Sequence, residues 1–174
     1  PIKSSAASDV YKRQPLTHRN EGENLNLSGE KPVFTGSFKP GNGWQEVKFN
    51  KTVTGRYVCI EALNSQDGKD LACIAEMYFL DKDGSRLSRE PWIVKYADSE
   101  DVAHVNRSAD KTFDLQESTY WSTEKGSPYP HTIVIDLGAS HALTGFQCLP
   151  RMESEVPGGI KDFKIYVKGE NFKY

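Results

Sequence analysis

No stretch of the chain approaches the ~20 consecutive apolar residues that a bilayer-spanning helix needs, so nothing here reads as a membrane insertion. A basic surplus is also missing. The 22 Lys and Arg are met by 24 Asp and Glu, for a formal net charge of −2, which argues against a nucleic-acid partner held through its phosphates. Cysteine is scarce and odd in number: Cys59, Cys73 and Cys148 show no C-x-x-C spacing. That pattern argues against zinc and allows at most one disulfide. Each cysteine lies among apolar neighbours ("YVCIEAL", "LACIAEMYF", "GFQCLP"), the setting of a buried thiol. The four histidines, His18, His104, His131 and His141, are scattered without metal-ligand spacing, and no G-x-S-x-G is present. Acidic residues are plentiful, but nothing in their spacing sets two of them across a cleft as a hydrolytic pair. No catalytic residue is assigned. An apolar period of 3.6 is not sustained anywhere, which removes long amphipathic helices.

What remains is β-structure. "EVKFN" (46–50), "RYVCIEAL" (56–63) and "AEMYFLD" (75–81) read as strands, the last closed by the turn signal "DKDG". "HTIVIDLG" (131–138) is apolar enough to be buried on both faces, and "LTGFQCLP" (143–150) and "DFKIYVK" (162–168) follow it. A helical turn fits only short stretches such as 108–116. Short strands separated by Gly, Pro, Asn and Asp turns predict an all-β jelly-roll sandwich. Residues 15–31 are polar and read as a loop, with one short strand possible at "LNLS"; residues 81–91, "DKDGSRLSREP", read as a charged linker. Residues 4–14, "SSAASDVYKRQ", have no pattern. Asp9 to Gln14 resemble the in-frame translation of a transposon end used as a sequencing adaptor, so residues 1–14 are expected to pack against nothing.

From residue 92 onward five segments stand in a familiar order: "WIVKYADSED" (92–101), "KTFDLQESTYWST" (111–123), "PYPHTIVIDLG" (128–138), "LTGFQCLPR" (143–151) and "GGIKDFKIYVK" (158–168). They resemble the coagulation factor 5/8 type C, or discoidin, domain, whose bacterial relatives are carbohydrate-binding modules attached to glycan-degrading enzymes. Residues 44–80 resemble the C-terminal third of such a domain. The resemblance therefore implies an order of tail, linker, head. Residues 32–80 would be the C-terminal part of a first module, 81–91 a linker, and 92–174 the N-terminal part of a second. Sandwich termini lie close together, and a head alone would leave unpaired strand edges. Residues 32–174 are thus expected to close as one circularly permuted discoidin-like sandwich.

The resemblance also implies two sites. A structural calcium would take the Asp114 carboxylate, the Thr119 hydroxyl and carbonyl, main-chain oxygens near Lys111 and Gln116, the Glu76 carboxylate and the Ala75 carbonyl; hard oxygens in a flexible loop are what Ca²⁺ takes. Leu115 stands where the family usually has glycine. Without an ion, Asp114 would simply cap its own loop as an Asx-turn. For sugar, the family's arginine after "LP" is matched by Arg151. Its histidine after "YW" is replaced by Ser122, an aromatic shortly after it by about Lys125, its asparagine before "G-x-I-K-D" by Pro157, and an aromatic loop residue by Leu71. Tyr129 and Trp44 are alternative stacking platforms, while Trp92, Trp121, Phe113 and Phe146 belong to the core. The implied function is a non-catalytic glycan-binding module beside the catalytic domain of a larger enzyme, extracellular, periplasmic or on the cell surface. The alternative is a structural or protein-interaction sandwich without sugar affinity.

Overall fold

The computed structural model describes residues 24–174; the expectations for residues 1–14 lie outside them. Eight strands run in chain order: β1 Phe34–Ser37, β2 Gln45–Ala62, β3 Cys73–Ile74, β4 Glu76–Leu80, β5 Ile93–Ala97, β6 Trp121–Ser122, β7 His131–Leu149 and β8 Asp162–Lys168. Among the described residues the one helical element is a 3₁₀ turn, Ala109–Phe113. The large sheet is antiparallel with order β1-β8-β2-β7-β4, and β5 also pairs with β7; β3 and β6 form a separate two-stranded ladder.

Two long strands make this a sandwich. The sequence pattern separates 46–50 from 56–63 and 131–138 from 143–150, yet each pair is one continuous strand. The intervening residues "KTVT" and "ASHA" are mostly exposed, and their polarity hides the continuity. β2 and β7 pair in register at both ends and slip between Lys48 and Val53 and between Gly55 and Tyr57. Such bulges bend a ribbon and raise its twist. The bent ribbon contributes to two layers. Tyr57–Ala62 with His131–Asp136 extend one layer toward β8, β1 and β5, while Gln45–Lys48 with Gly145–Cys148 extend the other toward β4.

Strand alternation assigns the faces. Val58, Ile60, Ile133, Ile135, Phe163 and Ile165 point into the main core, where they meet Met77, Phe79 and Phe146. Their neighbours Cys59, Val134 and Tyr166 point the other way and are covered by Leu25, Leu27 and Phe172. That second cluster explains why "HTIVIDLG" is apolar on both faces. Its cover is pinned where the Asn26 amide donates to the Lys173 carbonyl at 2.8 Å. Trp92, Trp121, Phe113 and Phe146 are buried, and Phe79 links Phe146 and Trp92 at ring distances of 5.0 and 6.0 Å. All three cysteines are buried free thiols.

Strands from both sides of residues 81–91 share the large sheet: β2 and β4 pair with β7, and β2 pairs with β8. Residues 81–91 are not a solvated spacer throughout. The Asp81–Ser85 turn is exposed, but Leu87 packs on the core and Arg89 is buried. Arg89 donates to Glu76, to the Met77 carbonyl at 3.1 Å and to the Tyr78 hydroxyl at 2.7 Å. A buried guanidinium needs such acceptors to offset its lost hydration.

Candidate functional site

Three loops and the β3–β6 ladder meet at one end of the sandwich. The 63–72 loop is tied to the 150–161 loop by Gln66 N donating to Gly159 O at 2.7 Å, and Cys73 N donates to Gly158 O at 2.9 Å. Gly158 has φ +76°, and a Cβ there would lie 2.7 Å from Cys73 Sγ, so only glycine allows this approach. The 101–107 loop is fixed at both ends of its contact with β6: Arg107 N donates to Asp101 O at 3.0 Å, and Ser122 N donates to Arg107 O at 3.1 Å. β6 pairs with β3, joining the three loops.

Leu71 is held through its backbone. Its carbonyl accepts from the Tyr129 hydroxyl at 2.9 Å, and the preceding carbonyl, Asp70 O, accepts from His131 Nε2 at 2.9 Å. The other ring nitrogen of His131 lies 2.7 Å from Asp98 Oδ2. A carbonyl can only accept, so Nε2 carries a proton, and Nδ1 faces a carboxylate. Burial acts to lower the His131 pKa, but the Asp98 bond and charge outweigh it and hold the imidazole above its ordinary value. Tyr129, its ring 4.5 Å from that of His131, therefore clamps the loop and does not offer a free face. Ser122 is buried; its hydroxyl donates to Thr123 O at 3.0 Å and accepts from the Cys73 thiol at 3.4 Å, which leaves it away from the surface.

Arg151 follows β7 and lies over the Tyr120 ring, with Cζ 4.4 Å from the centroid. Arg107 lies over the same ring at 4.9 Å. Each arginine has a carboxylate neighbour: Glu153 bonds Arg151 at 2.5 Å, and Asp101 stands 3.6 Å from Arg107. Tyr120 and Arg107 were not among the residues singled out from sequence. Tyr120 had a faint signal, because alternation sends it away from buried Trp121; Arg107 had none, being thirteen positions away in a polar loop. Trp44, the other expected platform, is 37% exposed, but Arg86 lies 4.7 Å over its ring and its indole N–H donates to Glu117 at 3.3 Å.

The second cluster joins β4 to the loop after the 3₁₀ turn. Asp114 Oδ1 accepts from Gln116 N at 3.0 Å, the expected Asx-turn, and Oδ2 accepts from the Thr119 hydroxyl. The same hydroxyl lies 3.1 Å from Gln116 O. Leu115 takes φ 65°, the left-handed conformation in which the family's glycine would sit without strain. Lys111 N donates to Ser108 O and Ala75 N to Leu149 O, each fixing its segment. Glu76 is buried, and Oε2 accepts from Arg89 while Oε1 has no hydrogen-bond partner. Burial, with the nearby Asp114 carboxyl adding to it, pushes Glu76 up to about 8. Among the described residues no three His, Cys, Asp or Glu gather around one point, so a cation here would draw on two carboxylates plus hydroxyl and carbonyl oxygens. The orphaned Glu76 oxygen beside Asp114 fits such a hard-oxygen set.

Parts of the chain are similar to known proteins. The chain is 34% identical over 73 residues to a sialidase of Micromonospora viridifaciens, covering 40% of this chain and 11% of the sialidase. It is 30% identical over 91 residues to a galactose oxidase of Gibberella zeae, covering 50% of this chain and 13% of that protein. The chain thus spans about a tenth of the length of these relatives. The F5/8 type C domain model matches residues 95–174, the stretch that carries Arg107, Asp114, Thr119, Tyr120 and Arg151.

Proposed function

We propose that the chain is a non-catalytic carbohydrate-binding module of a larger, exported glycan-degrading enzyme. The observation that carries this reading is the partly exposed Arg151–Tyr120 pair where three braced loops converge. Sugar sites need polar groups in fixed positions on a preformed surface, and this end of the sandwich supplies them. The names of the relatives, a sialidase and a galactose oxidase, support a parent enzyme acting on sugars. Isothermal titration of the purified chain against neutral and acidic monosaccharides tests the reading. Binding should weaken at least tenfold in Arg151→Ala and change less in Tyr129→Ala, because Tyr129 is occupied with Leu71. A second reading, a structural or protein-interaction module, draws on Ser122 being buried and on the aliphatic Leu71 in the loop where an aromatic is expected. It prevails if the wild-type chain binds no saccharide.

The same reading includes a structural calcium held by Asp114, Thr119 and Glu76, with main-chain oxygens of Ala75, Lys111 and Gln116. When bound, the ion would take the place of the proton that burial and the Asp114 carboxyl favour on Glu76. Arg89 keeps Glu76 oriented by bonding its other oxygen.

A further inference from the structure

We propose that the loop-end site selects acidic sugars, those bearing a carboxylate or a sulfate ester, and that Arg107 is the residue that sets this preference. The inference rests on the sugar-binding reading above and specifies the ligand class of that site. Two guanidinium groups lie over one phenol ring, at 4.9 and 4.4 Å from its centroid. An anionic group approaching the edge of Tyr120 meets the positive field of both. Guanidinium forks match carboxylate and sulfate oxygens in geometry as well as charge.

The present partner of Arg107 is a weak competitor. Asp101 stands 3.6 Å from Arg107, with both side chains about a third exposed. Glu153 is 55% exposed and sits two residues from Arg151 on the same loop. The Arg107–Asp101 pair is an exposed one that adds little to stability, so an incoming anion can displace it; the Arg151 side chain is only 14% exposed, and there Glu153 competes with the ligand. Arg107 is presented by a loop whose backbone is bonded on both sides of the contact, to Asp101 and to Ser122. Val102 and Val105 on that loop are exposed and provide an apolar edge for a sugar ring. Tyr120 itself is a poor platform for a neutral ring, because its face is claimed by cations.

The test is titration of the whole chain with galactose, galacturonic acid and galactose 6-sulfate. At low salt one or both acidic probes should bind at least tenfold tighter than galactose, and the difference should shrink as sodium chloride screens the arginines. Binding of galacturonic acid alone identifies a carboxylate site; binding of galactose 6-sulfate alone identifies a sulfate site. Arg107→Gln should remove the preference, Arg107→Lys should restore part of it, and Glu153→Gln should raise affinity for the acidic probe. Melting curves of each variant establish that it is folded. Galactose binding as tightly as the acids, with Arg107→Gln unchanged, overturns the acidic preference and leaves the sugar-binding reading standing. No binding of any of the three probes overturns both.

Discussion

Leu115 holds φ 65° with its side chain 77% exposed, so its backbone is strained and its side chain gains little from burial. The left-handed region costs an L-residue about 1–2 kcal/mol relative to glycine, partly offset by the extra freedom glycine has when unfolded. Leu115→Gly should therefore leave stability unchanged or raise it by up to ~1 kcal/mol, read by urea unfolding. His131 makes a second residue-scale prediction. Its folded pKa is held above the unfolded value of about 6.5 by Asp98 and the Asp70 carbonyl. A raised folded pKa means the protonated form is favoured by folding. The stabilisation is complete below the unfolded pKa and is lost as pH rises through the folded one. The melting temperature should fall as pH rises above about 6.5, and the His131→Gln variant should fall less steeply. Identical slopes for the two proteins would remove the imidazolium from the account.

At the scale of elements, β4 and the 111–119 loop are the pieces that a cation would join. Glu76 comes from β4 and Asp114 from the loop, and between them lies one unpartnered oxygen. A calcium ion held as proposed would bind only where the two are together, so it should raise the melting temperature by mass action, and a chelator should reverse the effect. Asp114→Ala should abolish the response while Leu115→Gly keeps it. A melting curve indifferent to calcium and chelator would exclude the staple. The element scale is also where sequence reading did best and then ran out. Runs of apolar and β-branched residues located the segments of β2, β4, β7 and β8, with alternation where one face is open and a continuous apolar run in 131–138, where both faces are covered. They could not show that β2 and β7 run on through polar, exposed residues, since pairing there is carried by backbone hydrogen bonds that no side chain reports. The loop of Asp114 and Thr119 was visible as a cluster of short-range oxygens. Arg89 on Glu76 and Arg107 over Tyr120 were not, because each contact depends on how loops are folded back, and loop composition encodes polarity without direction.

For the whole molecule, the large sheet draws its strands from both sides of residues 81–91. The Lys82–Ser85 turn is exposed, whereas Arg89 is locked against β4. A single proteolytic cut in this turn should leave the two pieces associated, because β2 and β4 remain hydrogen-bonded to β7 and β8. Size-exclusion chromatography of the nicked protein should give one peak at the position of the intact chain, splitting only in denaturant. Two peaks in native buffer would mean that the halves are independent units.

The pairing of β2 with β7 also sets a timetable. Tyr57 opposes Asp136, and Ala62 opposes His131, so partners in the centre of the sheet are separated by nearly half of the chain's length. At a synthesis rate of roughly 5–20 residues per second, β2 waits about 4–16 s after it is made before β7 exists. Through that interval its backbone groups and the apolar side chains of "YVCIEA" have no partner, and neighbouring nascent chains offer the same strand. The yield of this protein during expression should therefore respond to anything that shields β2 while it waits, such as slower initiation or a holding chaperone, more than to any change in the stability of the finished sandwich.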